Sequence, residues 1–446
     1  MAEYSKDFWH PMLHPNEMKQ REPIHIVSGD GVYIKDDNGK ALLDGVAGLW
    51  CVNVGHNRPE MKAAIMKQLD ELEYFQLFDG ISHPRATEMA AKLVGMTQQE
   101  NMKRAFFTSG GSDSVETALK LARQYHILNG EADRKKFISL KNAYHGVHFG
   151  AASVNGLNVF RRNYEPLLNG TIHVDAPWLY RNPWNCEDPD QLAQLCADQL
   201  AREIEHQMPD TVAAFIAEPV MGAGGVIVPP EKYWPLVREV CDRYGILLIA
   251  DEVVTGFGRS GNMFGSRGWG VAPDMMCLAK GISSGYIPLG AVMINERMEQ
   301  AWDANADFNG VIMTGYTYSG HPVACAAGMA ALDIVEKENL PENAKVQGDY
   351  LINKLKPFAD KFKSVGEVRG KGLMIAIDLV TDKQTRQPID PADGFANQVA
   401  AVVRSEGVLV RPVGTKIILS PPLVYQQEHC DQLAEALDKA FTEVDR

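Results

Sequence analysis

Residues 246–281 read ILLIADEVVTGFGRSGNMFGSRGWGVAPDMMCLAKG, and the two ends of this stretch decide the fold. The apolar run Ile246–Ala250 stops at two acids, Asp251 and Glu252. The apolar run Met275–Ala279 stops at Lys280 and Gly281. Continuous apolar runs of this length suit strands buried on both faces of a parallel sheet. Ligands of such sheets gather at the carboxyl ends of the strands. A carboxylate and an amine are therefore delivered to one end of one sheet. They serve either as a buried Asp251–Lys280 ion pair or as two groups that address one ligand from different sides.

Working outward, the same grammar repeats. Strand 211–217 (TVAAFIA) runs into Glu218 and Pro219, and a helix over 231–244 follows. Lys136–Leu140 is another strand. Ala105–Thr108 leads into a glycine-rich turn and a helix from Ser114 to about Leu128. Helix 190–206 carries Leu192, Leu195, Leu200 and Ile204 on one side. Alternating strands and amphipathic helices predict an α/β body with a mainly parallel sheet covered on both faces. Before it, residues 24–47 read as a β-meander turned at Asp37-Asn38-Gly39, then an aromatic-bearing loop over 48–56 and helices over 59–73 and 84–94. Past residue 322 the character becomes α+β. Helices are predicted over 322–337, 342–363, 393–405 and 426–443, with strands near 367–379, 407–411 and 415–420.

The 446 residues suit one large and one smaller domain. The apolar fraction of 45% with 23% charged residues is ordinary for a soluble enzyme. A net charge of −13 argues against nucleic acid or an anionic membrane as partner. The opening MAEYSKDFWHPMLHP lacks an apolar signal-peptide core, and no run approaches the ~20 apolar residues of a membrane span, so a cytoplasmic protein is expected. Seven scattered cysteines without a C-x-x-C pair suit reduced thiols rather than a zinc site. His10 and His14 have the spacing of helical metal ligands, but each precedes a proline, which opposes helix; no metal is expected.

Four motifs carry candidate chemistry. Ser109-Gly110-Gly111-Ser112-Asp113 joins a strand to a helix, where backbone N–H groups and the helix N-terminus favour an anion. It is neither G-x-G-x-x-G nor a Walker A loop, so a nucleotide is not indicated. Asp113 and Glu116 have capping-box spacing, and a cap would use the same atoms. Tyr144 and His145 follow a strand, where an aromatic can lie against a planar ligand or simply pack. Glu218 ends a strand with an acid, and Thr317 offers a hydroxyl in a glycine-flanked loop. Together they suit pyridoxal phosphate: a lysine for the Schiff base, a carboxylate for the ring N–H, and a helix N-terminus for the phosphate.

The motifs TSGGSDSVETALK (108–120), NAYHG (142–146), EP (218–219), LLIADEVVTGFGRSG (247–261), CLAKG (277–281) and GYTYSGHPVACAAG (315–328) appear in this order. In that order and spacing the chain resembles a class III (ω-) aminotransferase of the fold-type I pyridoxal-phosphate family, over nearly its whole length. The resemblance implies a large domain, residues 59–325, around a mainly parallel seven-stranded sheet. It also implies a smaller α+β domain formed by residues 1–58 and 326–446. It makes Lys280 the Schiff-base lysine and proton carrier, and Asp251 the partner of the pyridine nitrogen. Val253 and Tyr144 are implied on the two faces of the ring, and Gly111 and Ser112 on the phosphate. Thr317 is implied as a phosphate ligand given by the neighbouring subunit, hence a homodimer with shared active sites; a tetramer built from it stays open. The family usually reads Ser-Gly-Ser-Glu at the cup, where this chain has Gly110-Gly111-Ser112-Asp113. One hydroxyl contact is lost, and backbone binding is expected to survive.

Two segments narrow the substrate. GLWCVNVGH (48–56) resembles the pocket loop of pyruvate-dependent ω-amino acid and amine transaminases, which places Trp50 against the substrate with Tyr144. VLVRPVG (408–414) resembles the segment that bears their mobile arginine, which places Arg411 on the substrate carboxylate; a salt bridge at a strand edge is the simpler role for Arg411. The expectation is a ping-pong transaminase that takes an amino group from an ω-amino acid or primary amine, the small-molecule donor, to pyruvate as keto acid acceptor. The alternatives are a 2-oxoglutarate-dependent class III aminotransferase, or a racemase or decarboxylase on the same cofactor. A non-catalytic regulator would need a fused DNA-binding segment, for which there is no room before residue 24.

Overall fold

Six of the seven strands in the central sheet run in one direction, and the seventh, reversed, is inserted next to the edge. The computed structural model describes residues 7–17 and 23–445; residues 1–6 of the N-terminal stretch, 18–22 and Arg446 lie outside the described residues. Three strands precede the sheet: β1 (Ile26–Asp30), β2 (Tyr33–Asp36) and β3 (Ala41–Asp44). The sheet itself comprises β4 (Met102–Thr108), β5 (Lys136–Leu140), β6 (Thr171–Val174), β7 (Val212–Ala217), β8 (Leu247–Asp251), β9 (Met275–Leu278) and β10 (Gly290–Asn295). Their spatial order is β4-β10-β9-β8-β7-β5-β6.

The two-period of a strand divides its side chains between two cores. From β8, Leu247 and Ile249 join Val115, Ala118 and Ala122 of the helix Gly111–Leu128, whereas Leu248 joins Leu200 and Trp234 on the other face. Each fully buried leucine or isoleucine contributes roughly 1.5–3 kcal/mol. Both faces are thus anchored, and the register that carries Asp251 to the end of β8 cannot slip without exposing them. Pro59, Pro84, Pro189 and Pro322 each open a helix, at the one place where a missing N–H costs nothing.

Past residue 340 the chain departs from its local pattern in three places. The expected helix over 342–363 is Leu340–Leu355 followed by a separate turn, Phe358–Lys361, because Pro357 cannot continue the first. The strand region near 367–379 is a hairpin, β11 (Val365–Lys371) and β12 (Met374–Asp382), turned at Gly372 with φ +58°. After β13 (Gln387–Pro388), region 407–411 divides between two sheets. Its first part, β14 (Val408–Leu409), pairs parallel with β3, while β15 (Arg411–Val413) pairs with β16 (Lys416–Leu419). Two small sheets result, β1-β2-β3-β14 and β11-β12-β16-β15 with β13 beside β12. One core contains Val32, Leu43 and Val54 together with Leu351, Val403, Leu419 and Leu437, so residues from both ends of the chain share it.

Candidate active site

β8 and β9 are parallel neighbours with Asp251 in register with Cys277. Lys280 therefore stands three residues beyond the level of Asp251, on a backbone held at φ +48°. The two side chains do not form an ion pair. Asp251 Oδ1 accepts the Val253 N–H at 3.1 Å, and Oδ2 accepts from His145 Nδ1 at 2.7 Å. Among the described residues the Lys280 amine has no hydrogen-bond or ion-pair partner, and burial holds it below its ordinary pKa. Burial also pushes the Glu218 carboxyl up to about 7, against the lowering effect of His145. Its two oxygens accept the N–H groups of Tyr144, at 3.0 Å, and Gly222, at 2.7 Å. All these groups except Gly222 line one cavity of about 440 Å³.

Ser109, Gly110, Gly111 and Ser112 form another wall. The helix begins at Gly111 rather than Ser114, with Gly110 as its extended N-cap. The Asp113–Glu116 capping box is consequently not made. Asp113 lies inside the first turn, where its Oδ2 accepts the Ser109 N–H at 3.0 Å, and Glu116 accepts the N–H of Ala151 at 3.1 Å. Gly111 and Ser112 sit in the first turn, where N–H groups lack intrahelical acceptors, so their dipoles are available to an anion. A Cβ on Gly111 would stand 2.8 Å from Val253 Cγ1. Glycine there lets the helix N-terminus meet the residue that follows the Asp251 strand.

The outer half is built from the small sheets. Trp50, buried, arrives from the loop after β3, and Arg411 from the first position of β15. Arg411 has no ion-pair partner among the described residues, so the strand-edge salt bridge is not made there; burial lowers its pKa and the Tyr144 phenol opposes that. Leu49, Cys51, Tyr144, Phe160, Ala223, Ile287 and Leu289 complete a largely apolar lining. Tyr144 meets Phe160 edge-to-face, with ring centroids 4.9 Å apart.

Eight of the nine site residues expected from sequence line this cavity: Lys280, Asp251, Gly111, Ser112, Tyr144, Val253, Trp50 and Arg411. Thr317 does not. It is exposed, and its carbonyl accepts from the Tyr74 hydroxyl at 2.7 Å. The packing or hydrogen-bonding role expected of His145 is a hydrogen bond to Asp251, a partner that the sequence did not name, and its Nε2 is buried without a hydrogen bond among the described residues. A strand-end acid aimed into a desolvated cavity needs such a partner, and the adjacent histidine in NAYHG was the available signal. Phe160 and Ile287 gave none, because they lie in irregular segments.

A partly buried amine without a partner among the described residues, a buried carboxylate apart from it and free helix-start amides around one cavity define a site for a flat, anionic cofactor. Comparison with known proteins agrees. Residues 15–441 match the aminotransferase class-III family, and the chain belongs to that family, whose members depend on pyridoxal phosphate. It is 37% identical to a putrescine–pyruvate aminotransferase of Pseudomonas aeruginosa, over 95% of this chain and 91% of that one. An amine transaminase from an uncultivated Pseudomonas species, solved with its cofactor bound, superposes with a TM-score of 0.97 at 58% identity, covering 98% of this chain and 99% of the other. An (S)-enantioselective ω-transaminase from Thermomicrobium roseum gives 0.94 at 40% identity, over 99% and 97%. The residues present fit the cofactor: amine, carboxylate and anion cradle face one space, and none is consumed by another.

Proposed function

We propose that the protein transfers an amino group from a primary amine or ω-amino acid to pyruvate, giving alanine, by a ping-pong mechanism. One observation carries the reading: the unpaired Lys280 amine and the Asp251 carboxylate face a cavity whose apolar outer half ends at an unpaired arginine, Arg411. Pyridoxal phosphate supplies, when bound, an electron-accepting ring that takes up the charge left as the substrate C–H bond breaks. Lys280 Nζ takes and returns the proton of the amine-bearing carbon, and burial, which disfavours the charged form, lowers its pKa in the direction that role needs. Asp251, oriented by His145, would hold the proton of the ring nitrogen. Gly111 and Ser112 would hold the phosphate, and Val253 and Tyr144 would pack against the ring. Arg411 takes the carboxylate of pyruvate, and the same wall takes the side chain of the donor once the arginine turns outward.

The lining supports an apolar amine over a diamine as donor. A distal ammonium needs an anion, and the outer wall of Leu49, Trp50, Cys51, Phe160 and Arg411 offers none; the two carboxylates that line the cavity, Glu218 and Asp251, stand at its inner end. A homodimer is supported by exposed apolar side chains on adjoining segments, among them Phe75, Phe78, Ile81, Val311, Met313 and Tyr318. Thr317 stands in that region, where it would serve the cavity of a second copy. The large domain is taken as residues 59–325 and the smaller as 1–58 with 326–446, supported by the β1-β2-β3-β14 sheet that joins the two ends. We place the protein in the cytoplasm, on seven free cysteines; no described helix is long and apolar enough to cross a membrane.

A donor panel of arylalkylamines, isopropylamine, β-alanine and putrescine, run against pyruvate and 2-oxoglutarate, tests the reading. Alanine formed from an apolar amine is the expected result. Glutamate alone would assign the 2-oxoglutarate alternative. Carbon dioxide release or racemisation without transfer would overturn the transaminase reading.

A further inference from the structure

The two outer-wall residues, Trp50 and Arg411, leave from neighbouring strands. β3 ends at Asp44 and β14 at Leu409, and these residues are in register in a parallel pair. The Gly45 N–H donates to the Leu409 carbonyl at 2.9 Å, and the Ser420 N–H donates to the Gly45 carbonyl at 2.8 Å. At this junction lies a carboxylate with no solvent exposure, that of Asp44. Its Oδ1 accepts the Val46 N–H at 3.0 Å, and its Oδ2 accepts the Gly48 N–H at 2.9 Å and His56 Nε2 at 2.9 Å.

The loop those amides belong to is strained. Ala47, Gly48 and Trp50 have φ of +48°, +64° and +64°, and two of the three are residues that rarely adopt such values. Side-chain packing alone does not hold a backbone there; something must bind its amides. The far side of the loop is fixed separately: Asn53 Oδ1 accepts from the fully buried Arg259 at 2.8 Å, and Asn53 Nδ2 donates to the Phe257 carbonyl at 3.1 Å. On the near side, before Trp50, Asp44 binds the Val46 and Gly48 amides, while the Val46 carbonyl accepts the Trp50 N–H at 2.9 Å and the Ser420 hydroxyl at 3.2 Å.

We propose that Asp44 is a positioning residue that clamps the Val46 and Gly48 amides, so that Trp50 stands as a fixed wall of the substrate cavity beside β14, the strand that leads into Arg411. The proposal rests on the transaminase reading for its substrate, and on nothing but the geometry for the clamp. Asp44 touches neither substrate nor cofactor. It sets how wide the outer cavity is, and hence how well bulky donors are held, without altering the inner half.

The test uses the holoenzyme. Asp44→Asn keeps the shape but leaves one acceptor oxygen for two loop amides. The KM for an arylalkylamine is expected to rise about tenfold, as for one buried hydrogen bond lost, with kcat within about twofold. The KM for isopropylamine, too small to reach Trp50, and the affinity for cofactor should stay unchanged. In a Trp50→Ala background the Asp44→Asn effect should vanish, because the clamp acts through Trp50. His56→Ala, at a partly exposed position, is the second variant and should shift the same KM in the same direction by a smaller factor. Additive effects of Asp44→Asn and Trp50→Ala, or an equal loss of kcat for every donor together with cofactor affinity, overturn the proposal. So does an unchanged arylalkylamine KM in both the Asp44 and the His56 variants. Calorimetric binding of phenylacetate, which spans the wall and Arg411 without reacting, separates the two readings. An enzyme that transfers no amino group yet loses phenylacetate affinity on Asp44→Asn refutes the transaminase reading and keeps the clamp; unchanged phenylacetate affinity refutes the clamp.

Discussion

The inner and outer halves of the cavity are built by different means. Lys280, Asp251 and Glu218 stand at or just beyond the ends of strands buried on both faces, in a sheet whose register two cores enforce. Trp50 and Arg411 stand on a strained loop and a three-residue strand, where two small sheets meet. The inner acids, Asp251 and Glu218, are buried and held by the backbone and His145, and Lys280 beside them is partly buried; Arg411 is half-buried and has no ion-pair partner among the described residues. On the proposed function, the difference separates two tasks. Proton transfer needs groups fixed to within a fraction of an ångström, which a parallel sheet supplies. Accepting both a carboxylate and an apolar amine at one place needs a cation that is free to leave, which a short strand at a sheet seam supplies.

Four substitutions probe that contrast. The largest effect belongs to the inner half: Lys280→Ala should lower alanine formation by about 10³-fold or more, the upper range for loss of a proton-transfer group, and abolish the visible absorbance of the bound cofactor. Normal turnover would dissolve the distinction between the halves. Arg411→Ala should act unequally. Loss of a charge-assisted pair to carboxylate predicts a fall of about tenfold to hundredfold in kcat/KM for pyruvate. Cofactor reduction by a simple amine, followed by single-turnover absorbance, should stay within a few-fold of the parent. Equal damage to both half-reactions would place Arg411 with the inner groups.

Gly111→Ala tests how closely the cradle is fitted. A Cβ 2.8 Å from Val253 Cγ1 forces a shift costing about 1–3 kcal/mol, read as weaker cofactor binding in equilibrium dialysis with the fold retained. Unchanged affinity would mean that the helix start is not part of the cradle. The smallest effect is a pH slope. Glu218 is raised by burial to about 7 from 4.5, so the folded chain binds more protons than the unfolded one between those values. Stability is therefore lost as pH rises through that window. Relative to Glu218→Gln, the cofactor-free parent should lose roughly 1–3 kcal/mol between pH 4.5 and 7 in denaturant titrations. Parallel curves for the two proteins would show that the site carries no such desolvation cost.

Most of the inner half was legible because its chemistry lies at the ends of short apolar runs. Where a strand stops is written locally, so Asp251, Lys280, Glu218 and the turn at Gly111 could be located without knowing the strand order. The first turn of the helix was misread by three residues, since a Gly-Gly start carries no side-chain signal and Asp113 imitates a cap. Pairing was not legible. That His145 meets Asp251, more than a hundred residues away, follows from β5 lying one strand beyond β7 and two from β8. In the outer half Trp50 and Arg411 were found by resemblance of their segments, while the junction of β3 with β14 that brings them together had no trace in either segment.

The sequence by itself determined the α/β body, the strand ends and the residue types delivered there, because burial on two faces and helix starts at proline are short-range rules. The tertiary structure alone decided that His145 holds Asp251, that Arg411 has no ion-pair partner among the described residues, and that Asp44 holds the loop of Trp50. Each of these depends on which distant backbone amides and side chains converge, and convergence is set by sheet order and register, which no local run of residues encodes.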